Sequence, residues 1–428
     1  MTYIPYPDSD KALNEIYEFL LSDRKEHILE GGAGTGKSML IQELITKVFP
    51  AYQHTASLVG LEPLIHCHLC ATTNSATEVL TRALRPFKTV GTVHGLFGIR
   101  LKKNYRTGDY DYDDAFSTPI SNSLVIIDEA SMIDPKLHTI LIANSGNSKL
   151  LYVGDWKQLL GVKGTLPNYG YISKSYLTQI KRTSSPELKT LYEDMRQSVA
   201  TTTLPKITLS PGIIDWFSDP DEVINFMLNN IDTTAIGAYT NNTVNAINAY
   251  IRESLGYGSF YAVGEKVIVS NVYIPSILKK EQEVIITQVG DVKDYYVDKF
   301  VSSLFFRTID YCVTSPTATA GFSTQITVPV CMDSYQYALK SLLKNKLIEH
   351  YFKTKESITE LRPKYASTCH KLQGVSKEIV MLSLGDIFSC RKLDDILRML
   401  YVGVSRARER VIFFGDIPDK YKSIFSEN

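Results

Sequence analysis

The sequence predicts an α/β fold made of two parallel-sheet units, with small β insertions in each. Three observations support this prediction: apolar strand-like runs alternate with helical patterns, a glycine-rich loop joins the first strand to the first helix, and the strand–helix alternation resumes after a β-rich interruption. The length of 428 residues is also sufficient for two to four domains.

The first unit is predicted from four apolar runs. The runs lie at residues 28–29, 64–70, 124–127 and 150–153. Polar, acidic or turn-forming residues follow each run, as is typical of parallel strands joined by crossover helices. One interruption at 99–120 is predicted to be a β-hairpin insertion, with flanks in 102–112 and Thr107-Gly108-Asp109 at its tip.

The second unit is predicted to be split by an insertion. Its strands are expected at 234–239, 379–382 and 411–414, with a helix at 244–255. Between them, short β-rich runs at 284–287, 295–297 and 325–330 precede a helical pattern at 334–361. We therefore expect domains at 1–185 and at 186–283 with 365–428, and a small β-barrel with a helix at 284–364.

The glycine-rich loop fits the phosphate-binding pattern G-x-x-x-x-G-K-[ST]. Its residues are Gly31, Gly32, Ala33, Gly34, Thr35, Gly36, Lys37 and Ser38. An apolar run precedes the loop, and an amphipathic stretch at 39–49, which Pro50 is expected to end, follows it. Inward-facing N–H groups and the helix N-terminus would bind phosphates, Lys37 would reach the β- and γ-phosphates, and Ser38 would bind Mg²⁺. The alternative is a chance glycine-rich turn.

Two further strand ends carry polar groups suited to nucleotide hydrolysis. Asp128 and Glu129 end an apolar strand, where Asp128 would hold Mg²⁺ and Glu129 would orient and deprotonate the attacking water. Gln158 follows the next apolar run and is either a sensor of the γ-phosphate or an ordinary loop residue. Phosphoryl transfer also uses arginine, for which Arg182 and Arg406 are candidates, unless they are surface charges.

Composition neither indicates nor excludes a polyanionic partner, because 46 basic and 46 acidic residues cancel. From Val79 to Gly108, however, there are seven Lys or Arg residues and no carboxylate. The aromatic residues Phe87, Phe97 and Tyr105 lie within this run, which suits neutralisation of a nucleic-acid backbone with stacking of bases. Alternatively, Phe87 and Phe97 belong to the core and the charges form a solvated face.

Other compositional features concern location. No 18-residue apolar stretch and no signal-peptide pattern are present, so we expect neither membrane spanning nor secretion. Six scattered cysteines suit a reducing compartment better than a disulfide framework. The expected location is cytoplasmic, in the host cell if the protein comes from a phage.

The motifs, taken in order, resemble those of superfamily 1 helicases. Besides Gly31–Ser38 they are Asp128-Glu129-Ala130-Ser131-Met132, Gly154-Asp155-Trp156-Lys157-Gln158-Leu159, Ala366 to Gly374, and Tyr401-Val402-Gly403-Val404-Ser405-Arg406-Ala407. The spelling Ser367-Thr368-Cys369-His370-Lys371-Leu372-Gln373-Gly374 and the short hairpin insertion look most like the 5′→3′ branch, the RecD/Dda group. The resemblance covers most of the chain outside roughly 284–364.

This resemblance implies two RecA-like domains, with ATP and Mg²⁺ in the cleft and single-stranded DNA running across both. By position, Lys37, Ser38, Asp128, Glu129, Gln158, Arg182, Arg406, Gln373 and Gly374 match the nucleotide site of the family. The residues that match strand-contacting positions are Thr73, Asn74, Thr92, His94, Thr368 and His370, and we add Phe97, Lys102 and Tyr105 from the basic run. Residues 102–112 would be the pin that separates the strands.

Two positions differ from the residues expected in the sequence motifs of the family. Asp10 falls where an adenine-reading Gln is expected, which puts base selectivity in question. Thr72 replaces the usual Pro, and we expect this change to loosen the adjoining loop.

The resemblance favours an ATP-dependent 5′→3′ DNA helicase, expected to act as a monomer on single-stranded DNA and duplex forks. A single-strand-binding protein or replisome components would be its protein partners, and no membrane partner is expected. Two alternatives stay open: a single-strand translocase that displaces proteins with little unwinding, and a nucleotide-gated binding or loading module.

Overall fold

The computed structural model describes residues 7–84, 90–103, 110–159, 165–271, 278, 280–297, 304–315 and 323–425. The chain divides into two compact units. The large unit comprises Met1–Thr240 and Ser367–Asn428, and the small unit comprises Asn241–Ala366. In the described part of the chain, no helix is both long and apolar enough to cross a bilayer.

The first sheet of the large unit is wholly parallel. Its strands are β1 (Glu26–Gly31), β2 (His66–Ala71), β3 (Val90–Thr92), β6 (Ser123–Asp128), β7 (Lys149–Gly154) and β8 (Ser173–Leu177), in the order β3-β2-β6-β7-β1-β8. Its helices are α1 (Pro7–Leu21), α2 (Lys37–Glu43), α3 (Phe49–Leu58), α4 (Asn74–Ala83), α5 (Val93–Leu96) and α6 (Pro135–Ala143).

Burial on both faces explains why these strands read as continuous apolar runs. In β6, Leu124 and Ile126 pack into the core on one face of the sheet, and Val125 and Ile127 pack into the core on the other. All four are completely buried, as expected for a parallel strand covered by helices on both sides.

The second sheet of the large unit has the order β16-β10-β17-β18-β9. Its strands are β9 (Ile214–Phe217), β10 (Thr234–Ala238), β16 (Ala366–Thr368), β17 (Lys377–Ser383) and β18 (Ala407–Phe414), and the pairs from β10 to β9 are parallel. The accompanying helices are α7 (Pro186–Thr201), α8 (Pro220–Asn229), α12 (Cys369–Leu372), α13 (Leu384–Ile387) and α14 (Leu393–Val404). The predicted α/β fold with a parallel-sheet core is thus confirmed.

The small unit is an antiparallel sheet with three helices. Its strands are β11 (Lys266–Asn271), β12 (Glu283–Tyr296), β13 (Phe305–Thr314), β14 (Thr324–Pro329) and β15 (Glu360–Pro363), in the order β14-β13-β12-β11-β15. The helices are α9 (Asn241–Ser254), α10 (Met332–Lys344) and α11 (Ile348–Ser357). The N–H of Thr359 donates to the carbonyl of Thr327 at 2.8 Å, so the two sheet edges approach each other in a barrel-like manner.

The sheet of the small unit starts earlier than the expected boundary at 284, because β11 pairs with both β12 and β15. The helical pattern at 334–361 forms two helices followed by a strand rather than one helix. The break comes at Asn345-Lys346, where Lys346 takes φ 59°, a conformation that an α-helix cannot continue through.

Pro50 does not end the helical run after the phosphate loop, contrary to expectation. A π-helical turn at Leu44–Val48 precedes α3, and the N–H of Phe49 donates to the carbonyl of Leu44, five residues earlier. Pro50 lies in the first turn of α3, where its missing N–H is tolerated. The chain therefore stays helical to Leu58.

The hairpin insertion has the predicted flanks. Strands β4 (Arg100–Lys103) and β5 (Tyr110–Asp113) pair antiparallel, with Lys102 opposite Asp111. The predicted tip at 107–109 lies outside the described residues.

Candidate nucleotide and nucleic-acid site

The phosphate loop joins the end of β1 at Gly31 to the start of α2 at Lys37. Gly34 and Gly36 have φ values of 78° and 92°, the left-handed region in which glycine is favoured. A Cβ atom on Gly34 would also lie 2.4 Å from the Cβ of Arg182, so a larger residue is excluded there. The loop has the tight turn and helix N-terminus that phosphate binding requires.

Lys37 places its ammonium group inside this turn. Its Nζ donates to the carbonyls of Gly31 and Gly32 at 2.8 and 3.0 Å. Burial lowers the pKa of Lys37, while the nearby carboxylates of Asp155, Glu129 and Asp128 raise it. The cation is therefore held among acidic groups at the position predicted to bind phosphates.

The predicted carboxylate pair lies at the end of β6. Burial and the charge of Glu129 raise the pKa of Asp128, and Lys37 opposes the shift. Glu129 takes φ 53°, rare for a residue other than glycine, and its N–H donates to Asp128 Oδ1 at 2.9 Å. Crowded, partly desolvated carboxylates of this kind suit a divalent cation, which would relieve their repulsion.

Thr72, which stands where the family has a proline, donates two hydrogen bonds to this turn. Its N–H donates to the carbonyl of Asp128 at 3.3 Å, and its hydroxyl donates to the carbonyl of Glu129 at 3.0 Å. A proline could form neither bond.

Gln158 and Arg406 meet across the two sheets. Arg406 follows α14 and is 3% exposed, and one guanidinium nitrogen donates to Gln158 Oε1 at 3.0 Å. Its Nε donates to the carbonyl of Val402 at 3.0 Å. Burial lowers the pKa of Arg406, and Glu129 is the main charge that opposes this shift. Arg406 is thus a buried cation directed at the nucleotide site, not a surface charge.

Arg182 is the second cation contributed from beyond the first sheet. It donates to the carbonyl of Ser405, and burial, reinforced by the charge of Arg406, lowers its pKa to about 10. Both guanidinium groups stay charged at neutral pH. Their proximity concentrates positive charge next to the phosphate loop.

Gln373 and Gly374 follow α12 in the second sheet. Gln373 Nε2 lies 3.4 Å from Glu129 Oε2, and Gln373 Oε1 is buried without a hydrogen-bond partner in the described structure. Gly374 has φ 82°. The predicted nucleotide residues of both sheets are therefore brought together.

Sequence reasoning missed the residue at the centre of this site, Asp155. It is completely buried and accepts hydrogen bonds from Tyr401, from Gln158 Nε2 at 3.2 Å and from the N–H of Lys157 at 3.2 Å. Arg196 Nε lies 3.7 Å from Asp155 Oδ1, and another guanidinium nitrogen of Arg196 donates to Glu30 Oε1 at 3.1 Å. Asp155 was visible in the motif at 154–159, but its partners are not adjacent in sequence.

These groups fit a nucleoside triphosphate with Mg²⁺. Lys37 and two arginines supply positive charge, and Ser38, in the first turn of α2, is with Asp128 a predicted ligand of the cation.

Most of the predicted nucleic-acid residues lie at or just after the carboxyl ends of strands. Thr73 follows β2 and accepts from the N–H of Ala76 at 3.2 Å, and Thr92 ends β3 and accepts from the N–H of Gly95 at 3.1 Å. Thr368 ends β16 and precedes α12. Asn74, Lys102 and His370 are exposed. Apart from Lys102, which lies in the hairpin strand β4, these polar groups lie at or just after strand ends, where ligands of open α/β sheets bind.

The aromatic residues among the predicted nucleic-acid contacts differ in where the structure places them. Phe97 is completely buried in the core of the first sheet, so its prediction as a base-stacking residue was wrong. His94 stacks on Tyr112 with ring centroids 5.8 Å apart, and burial lowers the pKa of His94. Tyr105, like Phe87, lies outside the described residues.

Two family models match the chain. Residues 17–163 match the AAA domain, and residues 363–414 match the UvrD-like helicase C-terminal domain. The uncharacterized protein R530 of Acanthamoeba polyphaga mimivirus is 26% identical over 316 residues. That alignment covers 67% of this chain and 55% of the viral protein, so the chain spans little more than half of that relative.

Solved structures share the fold over nearly the whole chain. A structure of two coordinating Pif1 helicases at forked double-stranded DNA has a TM-score of 0.53 at 16% identity, covering 98% of this chain and 94% of that one. Pif1 helicase from Bacteroides, in complex with ADP-AlF3 and single-stranded DNA, has a TM-score of 0.52 at 15% identity, covering 100% and 95%. At these identities the likeness shows a shared fold.

Proposed function

We propose that the protein is an ATP-dependent DNA helicase that moves 5′→3′ on single-stranded DNA and unwinds duplexes. The observation that carries this proposal is that candidate nucleotide residues from both sheets are in contact. Lys37 and Glu129 come from the first sheet, while Arg406 follows α14 of the second and reaches Gln158 of the first at 3.0 Å. Hydrolysis at such a site depends on the relative position of the two sheets.

Each residue then has a role in hydrolysis. Lys37 and the phosphate loop bind the phosphates of ATP, and Ser38 and Asp128 hold Mg²⁺, which neutralises phosphate charge when bound. Glu129 orients the attacking water and accepts its proton. Arg182 and Arg406 stabilise the negative charge that develops on the phosphates, and Gln158 ties Arg406 to this environment.

A short path connects this site to the proposed DNA track. Thr72 bonds to the carbonyls of Asp128 and Glu129, and the next residue, Thr73, caps α4 with its side chain. A change at the carboxylates on hydrolysis would therefore reach Thr73 and Asn74 through a single residue. We propose that Thr92, His94, Thr368 and His370 continue the track, and that Lys102 and the hairpin tip, with Tyr105, hold the fork.

The proposed polarity and division of the chain follow the sequence resemblance. The motif spelling is most like the bacteriophage Dda helicase of the 5′→3′ branch. On this basis residues 1–185 form the first motor domain and 186–283 with 365–428 the second, except that β11 belongs with the sheet of the inserted domain expected at 284–364. Single-stranded DNA, duplex forks and a single-strand-binding protein or replisome component are the proposed partners of a monomer.

The decisive experiment compares matched duplexes that carry either a 5′ or a 3′ single-stranded tail. We expect DNA-stimulated ATP hydrolysis, and unwinding of the 5′-tailed duplex alone. Lys37→Ala should abolish both activities, because it removes the cation on the phosphates. Lys47→Ala, which removes an exposed cation ten residues along the same helical run, is the matched control and should retain both.

The outcomes separate the alternatives. Unwinding of the 3′-tailed duplex would overturn the polarity. Movement along single strands without unwinding would indicate the protein-displacing translocase. DNA binding that responds to nucleotide without either movement or unwinding would indicate a loading module. Turnover by correctly folded Lys37→Ala protein would overturn the nucleotide site itself.

A further inference from the structure

The hydroxyl of Tyr401 lies between the phosphate loop and the carboxylate of Asp155. It accepts from the N–H of Ala33 at 3.0 Å and donates to Asp155 Oδ2 at 2.5 Å. Tyr401 belongs to α14 of the second sheet, whereas Ala33 and Asp155 belong to the first. One buried hydroxyl therefore connects the two sheets at the nucleotide site.

Tyr401 is one of three side chains, in α14 and just after it, that hydrogen-bond to the segment 155–158. Arg398, one turn before Tyr401, donates to the carbonyls of Trp156 and Gln158 at 3.0 and 2.8 Å. Arg406, beyond the end of the helix, donates to the side chain of Gln158 at 3.0 Å. Three side chains of this helix region thus hold the segment 155–158, and Tyr401 alone of the three also holds the phosphate loop.

The chemistry of the site requires a hydroxyl. Burial raises the pKa of Tyr401 well above its ordinary value, and the charge of Asp155 raises it further, so the group stays protonated and donates. Its oxygen can accept from Ala33 at the same time. Phenylalanine would fill the same space and make neither bond.

Close packing of the loop supports a fixed geometry. A Cβ atom at Gly32 would lie 3.3 Å from the Tyr401 hydroxyl oxygen and 3.6 Å from Cδ of Arg196. Side chains of α7 and α14 therefore occupy the space that a side chain at position 32 would need.

We infer that Tyr401 is a positioning residue that sets the phosphate loop in register with Arg406. This inference rests on the proposed ATPase function. By fixing Ala33 against α14, Tyr401 holds the loop and the arginine in one arrangement, the arrangement in which charge on the phosphates would be stabilised. Ground-state binding of ATP through the loop of the first sheet does not require this register.

The test is Tyr401→Phe, compared with Tyr152→Phe. Tyr152 is equally buried in the first sheet, and its hydroxyl donates to another carboxylate, Glu26 Oε1, at 2.9 Å. Both variants lose one tyrosine–carboxylate bond and should lower Tm, and Tyr401→Phe should lower it further because it also loses the bond to Ala33. The steady-state ATPase rate with single-stranded DNA is measured as kcat and KM for ATP.

We expect Tyr401→Phe to lower kcat about tenfold, with KM changed less than about twofold, because only the transition state needs the register. Tyr152→Phe should keep the wild-type kcat. In an Arg406→Ala background, adding Tyr401→Phe should lower kcat no further, since its effect acts through Arg406.

Equal kcat in the two tyrosine variants would overturn the inference, and so would a full tenfold loss on top of Arg406→Ala. Both results presuppose a wild-type protein that hydrolyses ATP. Absence of wild-type turnover would instead overturn the proposed function, so the two failures are distinguishable.

Discussion

Arg406 shows how much of the proposed mechanism depends on one buried side chain. It donates to Gln158 and to the carbonyl of Val402, and Glu129 is the main charge that offsets its burial. We expect Arg406→Ala to lower ATP turnover about 10³-fold or more, the low end for a lost arginine finger. Single-strand binding without nucleotide should be largely retained, as measured by fluorescence anisotropy.

Two controls accompany this prediction. Arg408→Ala removes an exposed arginine two residues later that bonds to Ser376, and it should leave turnover nearly unchanged. Arg406→Lys keeps the charge but loses the planar fork, so it should recover only part of the rate. If DNA binding collapses in Arg406→Ala while hydrolysis persists, Arg406 belongs to the DNA track instead.

At this scale, sequence identifies single residues in motifs but not their partners. Lys37, Asp128 and Glu129 could be predicted because a local pattern defines their surroundings. The hub at Asp155 could not, since Tyr401 lies 246 positions away along the chain. Phe97 was mistaken for a stacking residue because an aromatic in a basic run looks the same whether it faces DNA or the core.

The pairing of β1 with β8 contains a buried histidine, and it gives an element-level prediction. The ring of His27 bonds to Ser173 and Ser175 at 2.7 and 2.8 Å, and burial, with a smaller effect of Arg24, lowers its pKa to about 4. The unfolded chain binds a proton there below about pH 6.5, whereas the folded chain binds it only below about pH 4. The contribution of His27 to the free energy of unfolding is therefore fully present above pH 6.5 and is lost as the pH falls towards 4.

We expect the free energy of unfolding to fall between pH 7 and pH 5 by about 2 kcal/mol from His27 alone, as 1.36 kcal/mol per pKa unit over this interval implies. His27→Gln, measured by urea unfolding at both pH values, should show a correspondingly smaller fall. An identical pH dependence in the two proteins would mean that His27 does not titrate in this way.

The hairpin β4–β5 is anchored at its base, and this bears on its proposed use as a pin. The hydroxyl of Tyr112 donates to Asp134 Oδ2 at 2.8 Å, and Lys136 pairs with Asp111 at 2.5 Å. Tyr112 is thus bound to the α/β domain, so it is unsuited to stacking on a base pair. Stacking by the hairpin would then depend on its other two tyrosines, Tyr105 and Tyr110.

Replacing residues 104–110 with a short Gly-Ser turn tests the pin while keeping the anchor at Asp111 and Tyr112. Stacking contributes about 1–3 kcal/mol per base, comparable with one step of duplex stacking at about 1.4 kcal/mol. We expect unwinding of a forked duplex to drop severely and DNA-stimulated ATPase to survive. Parallel loss of both activities would indicate a role in folding or binding, and loss of neither would exclude the pin.

Strands and helices with a clear hydrophobic pattern could be predicted, whereas changes in backbone conformation at single residues could not. Strands β1, β2, β6 and β7 lie where apolar runs predicted them, because buried parallel strands are apolar throughout. The helical pattern at 334–361 could not reveal the positive φ of Lys346 that divides it. Nor could Pro50 show that a π-helical turn would carry the helix past it.

The whole molecule combines zero net charge with a proposed polyanionic ligand, so its salt dependence is the sharpest test at this scale. Forty-six basic and 46 acidic residues cancel, yet binding to single-stranded DNA would rest on local phosphate contacts, each of which releases counterions. With about four to six such contacts, the slope of log K against log salt should lie near −3 to −4. Fluorescence anisotropy of a labelled oligonucleotide, measured from about 50 to about 300 mM salt, gives this slope.

Lys102→Ala removes one exposed cation of the basic run, so the slope should become less steep by about 0.7. Lys47→Ala removes an exposed cation that is paired with Glu43, and it should leave the slope unchanged. A slope near zero in the wild-type protein would mean that the basic run between residues 79 and 108 does not face DNA, and that the strand crosses another surface.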